Sequence, residues 1–245
     1  MSDVVAIILA RSGSKGLPGK NSAIVAGRPC AGWTIEHAKS AQTVTRTALS
    51  TDDPQLQELG IALGIDVVAR PADLANDSAR VDDAARHAAT ALGIAGDALV
   101  VILYANVPVR PADLIDRCVT TCIETGADSV QSYAPVGKHH PYWTCRLAKD
   151  SAQVTPWEGD TLNGGVHRRQ DLPEAFIPDG GCLVVTMASL MNPLPGPHGF
   201  FGSDRRGVRT NEGEVIDIDS PIDLIVADAI LRERSMAGFP EGALR

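Results

Sequence analysis

The 245-residue chain has no long hydrophobic run, no C-x-x-C pair, no internal repeat and no surplus of positive charge. Each absence removes a class of protein. The longest apolar stretch near the start, Val4 to Ala10, follows Asp3 and lacks a basic flank. Neither a secretory signal nor a membrane span is therefore expected, and the expected location is the cytoplasm. Five cysteines, Cys30, Cys118, Cys122, Cys145 and Cys182, are odd in number and scattered, which signals neither a disulfide framework nor a zinc site. Cys118 and Cys122 share a helical face with Leu114, Ile115 and Val119, as core thiols do. Lys plus Arg number 22 against 30 Asp plus Glu, giving a net charge of −8. That balance argues against general binding of nucleic acid or anionic membranes, so any anionic ligand must be met by a local basic cluster.

With 44% hydrophobic residues, the chain has the composition of a globular protein, and its length suits one α/β domain with a small appended lobe. Val4 to Ala10 is apolar at every position, as a strand covered on both faces requires. A helix over Pro29 to Ala41, a strand over Arg46 to Ser50, a helix over Pro54 to Leu63 and a strand over Ile65 to Val68 continue a βαβαβ rhythm. Val81, Ala84, Ala85, Ala88, Ala89 and Leu92 then repeat at helical spacing up to Gly93, with His87 off that face and expected in solvent. Ala98 to Leu103 predicts a strand, Pro111 to Thr125 a helix and Asp128 to Val136 a strand. Regularity fails from Gly137 to Pro178, a stretch expected to be a lobe or dimer arm, and resumes as a strand over Gly181 to Met187. Val215 to Asp219 predicts a last strand. It runs into a helix from Pro221 to about Arg234, with Ser220 as N-cap and Asp223 at N3. The sheet is expected to be mostly parallel.

Ligands of open α/β sheets bind at the carboxyl ends of strands, where the segment from Arg11 to Asn21 lies. Gly13, Gly16 and Gly19 permit close backbone approach, and Arg11, Lys15 and Lys20 supply three cations within ten residues. The pattern suits a polyphosphate, against the alternative of an ordinary exposed basic loop. It is not a Walker A loop, because Ser14 stands for its first glycine and Asn21 for its closing hydroxyl. Nor do the glycines fall in G-x-G-x-x-G order. Asp217 and Asp219, alternating on a predicted strand, would converge on one face as a divalent-cation pair. The competing reading is two acids favouring a helix N-terminus.

Matching blocks extend through the chain: Ile8-Leu9-Ala10-Arg11 with Ser14-Lys15-Gly16-Leu17-Pro18 and Lys20-Asn21; Ser50-Thr51-Asp52; Arg70-Pro71-Ala72-Asp73-Leu74-Ala75; His140-Pro141; Arg169-Gln170 with Leu172-Pro173-Glu174-Ala175-Phe176; and Ile216-Asp217-Ile218-Asp219-Ser220-Pro221. With them the sequence resembles the acylneuraminate cytidylyltransferases, the CMP-sialic acid synthetases. The resemblance implies a three-layer, Rossmann-like nucleotidyltransferase of one domain over residues 1–245, with a small irregular dimerisation lobe at about 137–178. It implies transfer of CMP from CTP to an acidic sugar with release of pyrophosphate, and a homodimer. Arg11, Ser14, Lys15, Gly16, Lys20, Asn21 and Arg70 would bind the nucleotide. Asp217 and Asp219 would hold Mg²⁺, and Arg11, Lys15 and Asp217 would be catalytic. Arg169 would face the sugar carboxylate, against the reading of a plain surface arginine. Adjacent His139 and His140 are not expected to share a metal, and Tyr142, Trp143 and Trp157 fit either a pocket or the filling of a small lobe.

Two segments depart from the family pattern. Where the family has Leu-Gln-Pro-Thr-Ser-Pro-Leu-Arg, this chain has Leu103-Tyr104-Ala105-Asn106-Val107-Pro108-Val109-Arg110, and Phe176-Ile177-Pro178-Asp179-Gly180-Gly181 replaces Phe-Arg-Pro-Asn-Gly-Ala. Tyr104, Asn106 and Asp179 therefore fall where the sugar should sit, which leaves the acceptor open. Alternatives are a different acidic acceptor (a ulosonate or small non-sugar acid), a different nucleobase, or a non-catalytic CTP-binding relative.

Overall fold

The computed structural model describes residues 3–13 and 16–237. The chain opens with β1 (Val4–Ala10), and after the glycine-rich loop a small hairpin of β2 (Ile24–Val25) and β3 (Arg28–Pro29) leads into α1 (Cys30–Ser40). Next come β4 (Arg46–Thr51), α2 (Pro54–Ala62), β5 (Asp66–Ala69), α3 (Val81–Ala91), β6 (Leu99–Tyr104), α4 (Leu114–Thr125) and β7 (Ser129–Pro135). The remainder holds a hairpin of β8 (Cys145–Leu147) and β9 (Val154–Pro156), the long β10 (Phe176–Thr186), α5 (Met187–Met191), β11 (Arg205–Arg209) and α6 (Pro221–Ala237).

Among the described residues seven strands form one sheet, in the order β11-β7-β10-β6-β1-β4-β5. Only β10 runs against its neighbours β6 and β7; the other pairings are parallel. β1 is buried at every position because its two faces feed two layers. Val4, Ala6, Ile8 and Ala10 pack with Ile35 of α1 and with Leu114, Ile115 and Val119 of α4. Val5, Ile7 and Leu9 pack with α3 and α5. The buried face of α3 is Ala84, Ala85, Ala88 and Ala89, whose short side chains let the helix lie close to the sheet. Ala227 and Leu231 seat α6 on Val25, Cys30 and Ile218. Its start is fixed by the expected capping pair, Ser220 N–H donating to Asp223 at 2.7 Å and Asp223 N–H to Ser220 Oγ at 3.4 Å.

Four expectations change. The 215–219 segment is not a strand: Ile216 makes one bridge to Val109 and Ile218 N–H donates to the Asn106 carbonyl, because this stretch lies along the 106–109 loop rather than a strand. β10 begins at Phe176, inside the stretch expected to be irregular, with a register shift between Pro178 and Leu183. β11 was not anticipated, since only Val208 of its five residues is buried and the rest carry the polarity of an edge strand. His87 is half-buried rather than solvated, with Nδ1 enclosed and unpaired among the described residues.

Arg110 is enclosed at 1% exposure, yet its recorded hydrogen bonds go to no carboxylate. Its guanidinium donates to the carbonyls of Gly181 (2.6 Å), Val107 (2.5 Å) and Tyr104 (3.1 Å) and to Thr34 Oγ1 (3.0 Å). It thereby ties the turn after β6 to β10. His37 Nδ1 lies 3.5 Å from the same guanidinium, which can only donate, so the imidazole is neutral. Burial, with the charges of Arg110 and Arg234, pushes its pKa down to about 3. The unfolded chain, with an ordinary histidine at 6.5, binds the extra proton first. Stability is therefore complete above that value and falls on acidification toward 3, by up to about 1.4 kcal/mol per pH unit. His37→Gln should flatten this limb in urea midpoints taken between about pH 6.5 and 4.5; an unchanged slope would assign the acid sensitivity elsewhere.

Candidate active site

A cleft of about 260 Å³ opens where β1 and β6 end, lined by Leu9, Arg11, Lys20, Asn21, Arg70, Tyr104 and Asn106, by Asp217 and Asp219, and by the approach to α3. Residues far apart in sequence meet here because parallel strands deliver their carboxyl ends to one side of the sheet. The loop after β1 is anchored at several points. Ser12 N–H and Oγ–H donate to Asp52 at 2.8 and 2.5 Å, and Asn21 Nδ2 donates to the Arg11 carbonyl at 2.8 Å. Asn21 Oδ1 is buried without a partner among the described residues. A Cβ on Gly16 would lie 2.6 Å from the Asp219 carbonyl oxygen, so glycine there lets the loop close against the acidic segment. Ser14 and Lys15 lie outside the described residues.

Both loop cations among the described residues meet an acid: Arg11 Nη1 pairs with Asp77 at 2.7 Å and Lys20 Nζ with Asp219 at 2.5 Å. Arg70, directly after β5, is buried and donates to Ser50 of β4, to its Oγ at 3.2 Å and its carbonyl at 2.7 Å. Burial pushes its pKa down to about 10 against the pull of Asp52.

Asp217 is held by Asn106, whose Nδ2 also donates to the Ile218 carbonyl at 3.1 Å. Gly180, at φ +75°, brings its backbone beside Asp217 with no side chain between them. Burial, and then the neighbouring Asp219, push the Asp217 carboxyl up to about 6. Burial and the charge of Asp217 raise the pKa of Tyr104. Two carboxylates facing one cleft are hard oxygen donors of the kind a small divalent cation takes. Among the described residues no group of three or more His, Cys, Asp or Glu side chains is arranged to hold a metal. An ion at this pair would complete its shell with phosphate oxygens and water, as Mg²⁺ does.

Three expected substrate contacts read differently. Arg169 is outside the cleft, its Nη2 paired with Glu212 at 2.8 Å on the surface, because the 137–175 arm carries it past the end of the sheet. Asp179 accepts from Ser132 Oγ, from Thr210 Oγ1 at 2.6 Å and from Gly181 N–H at 2.8 Å, so both its oxygens are spent pinning the irregular part of β10. Asn106 lines the cleft but is committed to Asp217 and Ile218. His140 is a structural residue at 4% exposure: Nδ1 accepts from Tyr142 N–H, so Nε2 carries the proton toward the Pro173 carbonyl, 3.1 Å away. Sequence reasoning missed Arg80, which lines the cleft just before α3, and the buried Arg110. A charged residue inside the otherwise apolar run 107–110 was the available signal for the second.

The sheet, its layers and the cleft at its carboxyl edge define a three-layer nucleotidyltransferase fold. A solved structure of CMP:2-keto-3-deoxy-manno-octonic acid synthetase complexed with CTP superposes with a TM-score of 0.70 at 17% identity, over 95% of this chain and 100% of its own. Residues 5–154 match the family described as Cytidylyltransferase, and the chain belongs to that family. It is 27% identical over 223 residues to an N-acylneuraminate cytidylyltransferase of Streptococcus agalactiae serotype III, covering 90% of this chain and 51% of the relative. It is 24% identical over 242 residues to post-translational flagellin modification protein B of Campylobacter coli, covering 96% and 98%. The chain thus spans about half the length of the N-acylneuraminate relative and nearly all of the flagellin-modification one. Among the described residues no helix is long and apolar enough to cross a membrane.

Proposed function

We propose that the protein transfers CMP from CTP to an acidic sugar, of the N-acylneuraminate or a related nonulosonate class, in the cytoplasm. The observation that carries this reading is the convergence of Arg11, Lys20 and Arg70 with Asp217 and Asp219 in one cleft of a cytidylyltransferase-family chain. A hydroxyl of the sugar attacks the α-phosphorus, a new P–O bond forms, the bond to the bridging oxygen breaks, and pyrophosphate departs as the hydroxyl loses its proton. Arg11 and Lys20 exchange their acid partners for phosphate oxygens and take up the charge of the leaving group. Asp217 and Asp219 are the residues that would hold Mg²⁺, which supplies charge neutralisation on the phosphates. Asn106 keeps Asp217 oriented, and Tyr104 faces the acceptor side.

A second copy of the chain completes the proposal. Leu147, Trp157 and Leu162 are exposed on the irregular arm, at 69%, 53% and 46%, and a homodimer would cover them. Arg169 on the same arm would then be presented to the partner's acceptor.

The test is pyrophosphate release with Mg²⁺, CTP and a panel of acidic sugars that includes N-acylneuraminates, related nonulosonates and octulosonates. Release with one sugar assigns both reaction and acceptor. CTP binding without release across the panel would favour a non-catalytic nucleotide binder.

A further inference from the structure

The cleft combines the charged side chains of Asp217, Asp219, Arg11 and Lys20 with the apolar ones of Leu74, Ala79, Val81 and Ala84, which belong to the segment leading into α3 and to its first turn. A nucleotide whose phosphates meet the charged side chains has the apolar ones to cover its base. Arg80 stands among them in the chain, between Ala79 and Val81, and lines the same cleft. Its Nε and Nη2 donate to Asp82 Oδ1 and Oδ2 at 3.0 and 2.9 Å, and Asp82, at 3% exposure, is also held by Arg86 Nη2 at 3.1 Å. Unlike the exposed acids that neutralise Arg11 and Lys20, this buried carboxylate is shared by two arginines and is not free to be exchanged for a phosphate. It fixes the guanidinium by one edge and leaves the Nη1 and Nη2 hydrogens of the outer edge available.

We propose that Arg80 reads the base, donating its outer edge to two adjacent acceptors of the pyrimidine ring. Cytosine offers O2 and N3 side by side as acceptors, whereas uracil sets an N3–H donor against the guanidinium. Arg80 would therefore be a specificity-determining residue, favouring cytidine over uridine nucleotides. This rests on the cytidylyltransferase reading for the phosphate end but is testable without turnover.

Calorimetric titration of the full chain with CMP and with UMP, and competition by pyrophosphate, decides it. In the wild type CMP should bind more tightly than UMP. Arg80→Ala should weaken CMP about ten- to a hundredfold, as expected for loss of a bidentate base contact, leave UMP within about twofold, and leave pyrophosphate affinity unchanged. Arg80→Lys keeps the charge without the planar fork and should not restore the CMP preference; it also serves as the test should the alanine variant not fold. Equal CMP affinity in wild type and variants overturns the proposal. So does an equal loss for CMP, UMP and pyrophosphate, which would make Arg80 a phosphate contact. Absence of pyrophosphate release by the wild type, with CMP discrimination intact and sensitive to Arg80, would instead overturn only the transferase reading.

Discussion

Asp217→Asn should abolish pyrophosphate release while leaving the protein folded and more stable than the wild type at neutral pH. The amide keeps an oxygen for Asn106 Nδ2 to reach, so the packing of the 217–219 segment against the 106–109 loop is retained. What disappears is a negative charge in the place where charge neutralisation of the phosphates is needed. On the proposed function a metal held there would contribute several kcal/mol, so kcat should fall on the order of a thousandfold. The gain in stability follows from linkage. Burial and Asp219 raise the folded-state pKa to about 6 from 3.8, so between these values the folded wild type binds more protons than the unfolded chain. Ionising Asp217 therefore costs stability that is fully felt above about 6, shrinks on acidification, and is gone below 3.8. The advantage of the variant in chelator-treated samples should follow the same course, falling by up to about 1.4 kcal/mol per pH unit through that window. Residual turnover within tenfold of wild type would remove Asp217 from the reaction. A loss of stability would mean that the carboxylate has a partner the geometry does not provide.

Arg110→Ala should be the most destabilising single change among the cleft's supports. The Gly181 carbonyl and Thr34 Oγ1 would lose their guanidinium donor, and the Tyr104 and Val107 carbonyls would be left with only the Thr34 hydroxyl and, for Tyr104, the Val107 N–H. Each buried acceptor left unpaired costs about 1–3 kcal/mol, so the two that lose their donor outright put the expected total at about 2–6 kcal/mol, a large fraction of an ordinary protein's stability. Arg110→Lys, with one compact ammonium in place of a fork, should recover part of it. Urea denaturation of both variants measures the cost. A loss below about 1 kcal/mol for the alanine variant would show that water enters and satisfies the carbonyls. In the lysine variant activity should fall further than stability does, because the turn that Arg110 ties carries Tyr104 and Asn106.

Local chemistry made much of this legible in advance. The all-apolar β1, the alanine face of α3, the Ser220 and Asp223 cap and the basic loop each follow from neighbours in sequence. Features that depend on a distant partner were not visible. Asp217 and Asp219 alternate in sequence as strand residues do, yet the chain there follows a loop, so the pair reached the cleft by another route. β11 is polar because it is an edge. Asp179 carries no mark that distinguishes a substrate ligand from a clamp on Ser132 and Thr210, and Arg169 has none that tells a ligand from a surface ion pair. Nothing beside Arg80 in the sequence marks a role, and Arg110 is marked only by the apolar residues before it.

The acids that sit on the cleft's cations change how the protein meets salt. Arg11 holds Asp77 and Lys20 holds Asp219, so these two cations are neutralised by the chain itself rather than by a diffuse cloud of anions. A polyanion entering such a site displaces carboxylates that remain attached nearby, and few counter-ions leave for bulk solution. Binding then gains little mixing entropy from dilute buffer and loses little in concentrated buffer. The chain as a whole is acidic, and these two cations of its cleft are internally balanced. It is thereby shielded from adventitious polyanions that bind through counter-ion release alone, and admits a ligand able to replace several carboxylates at once.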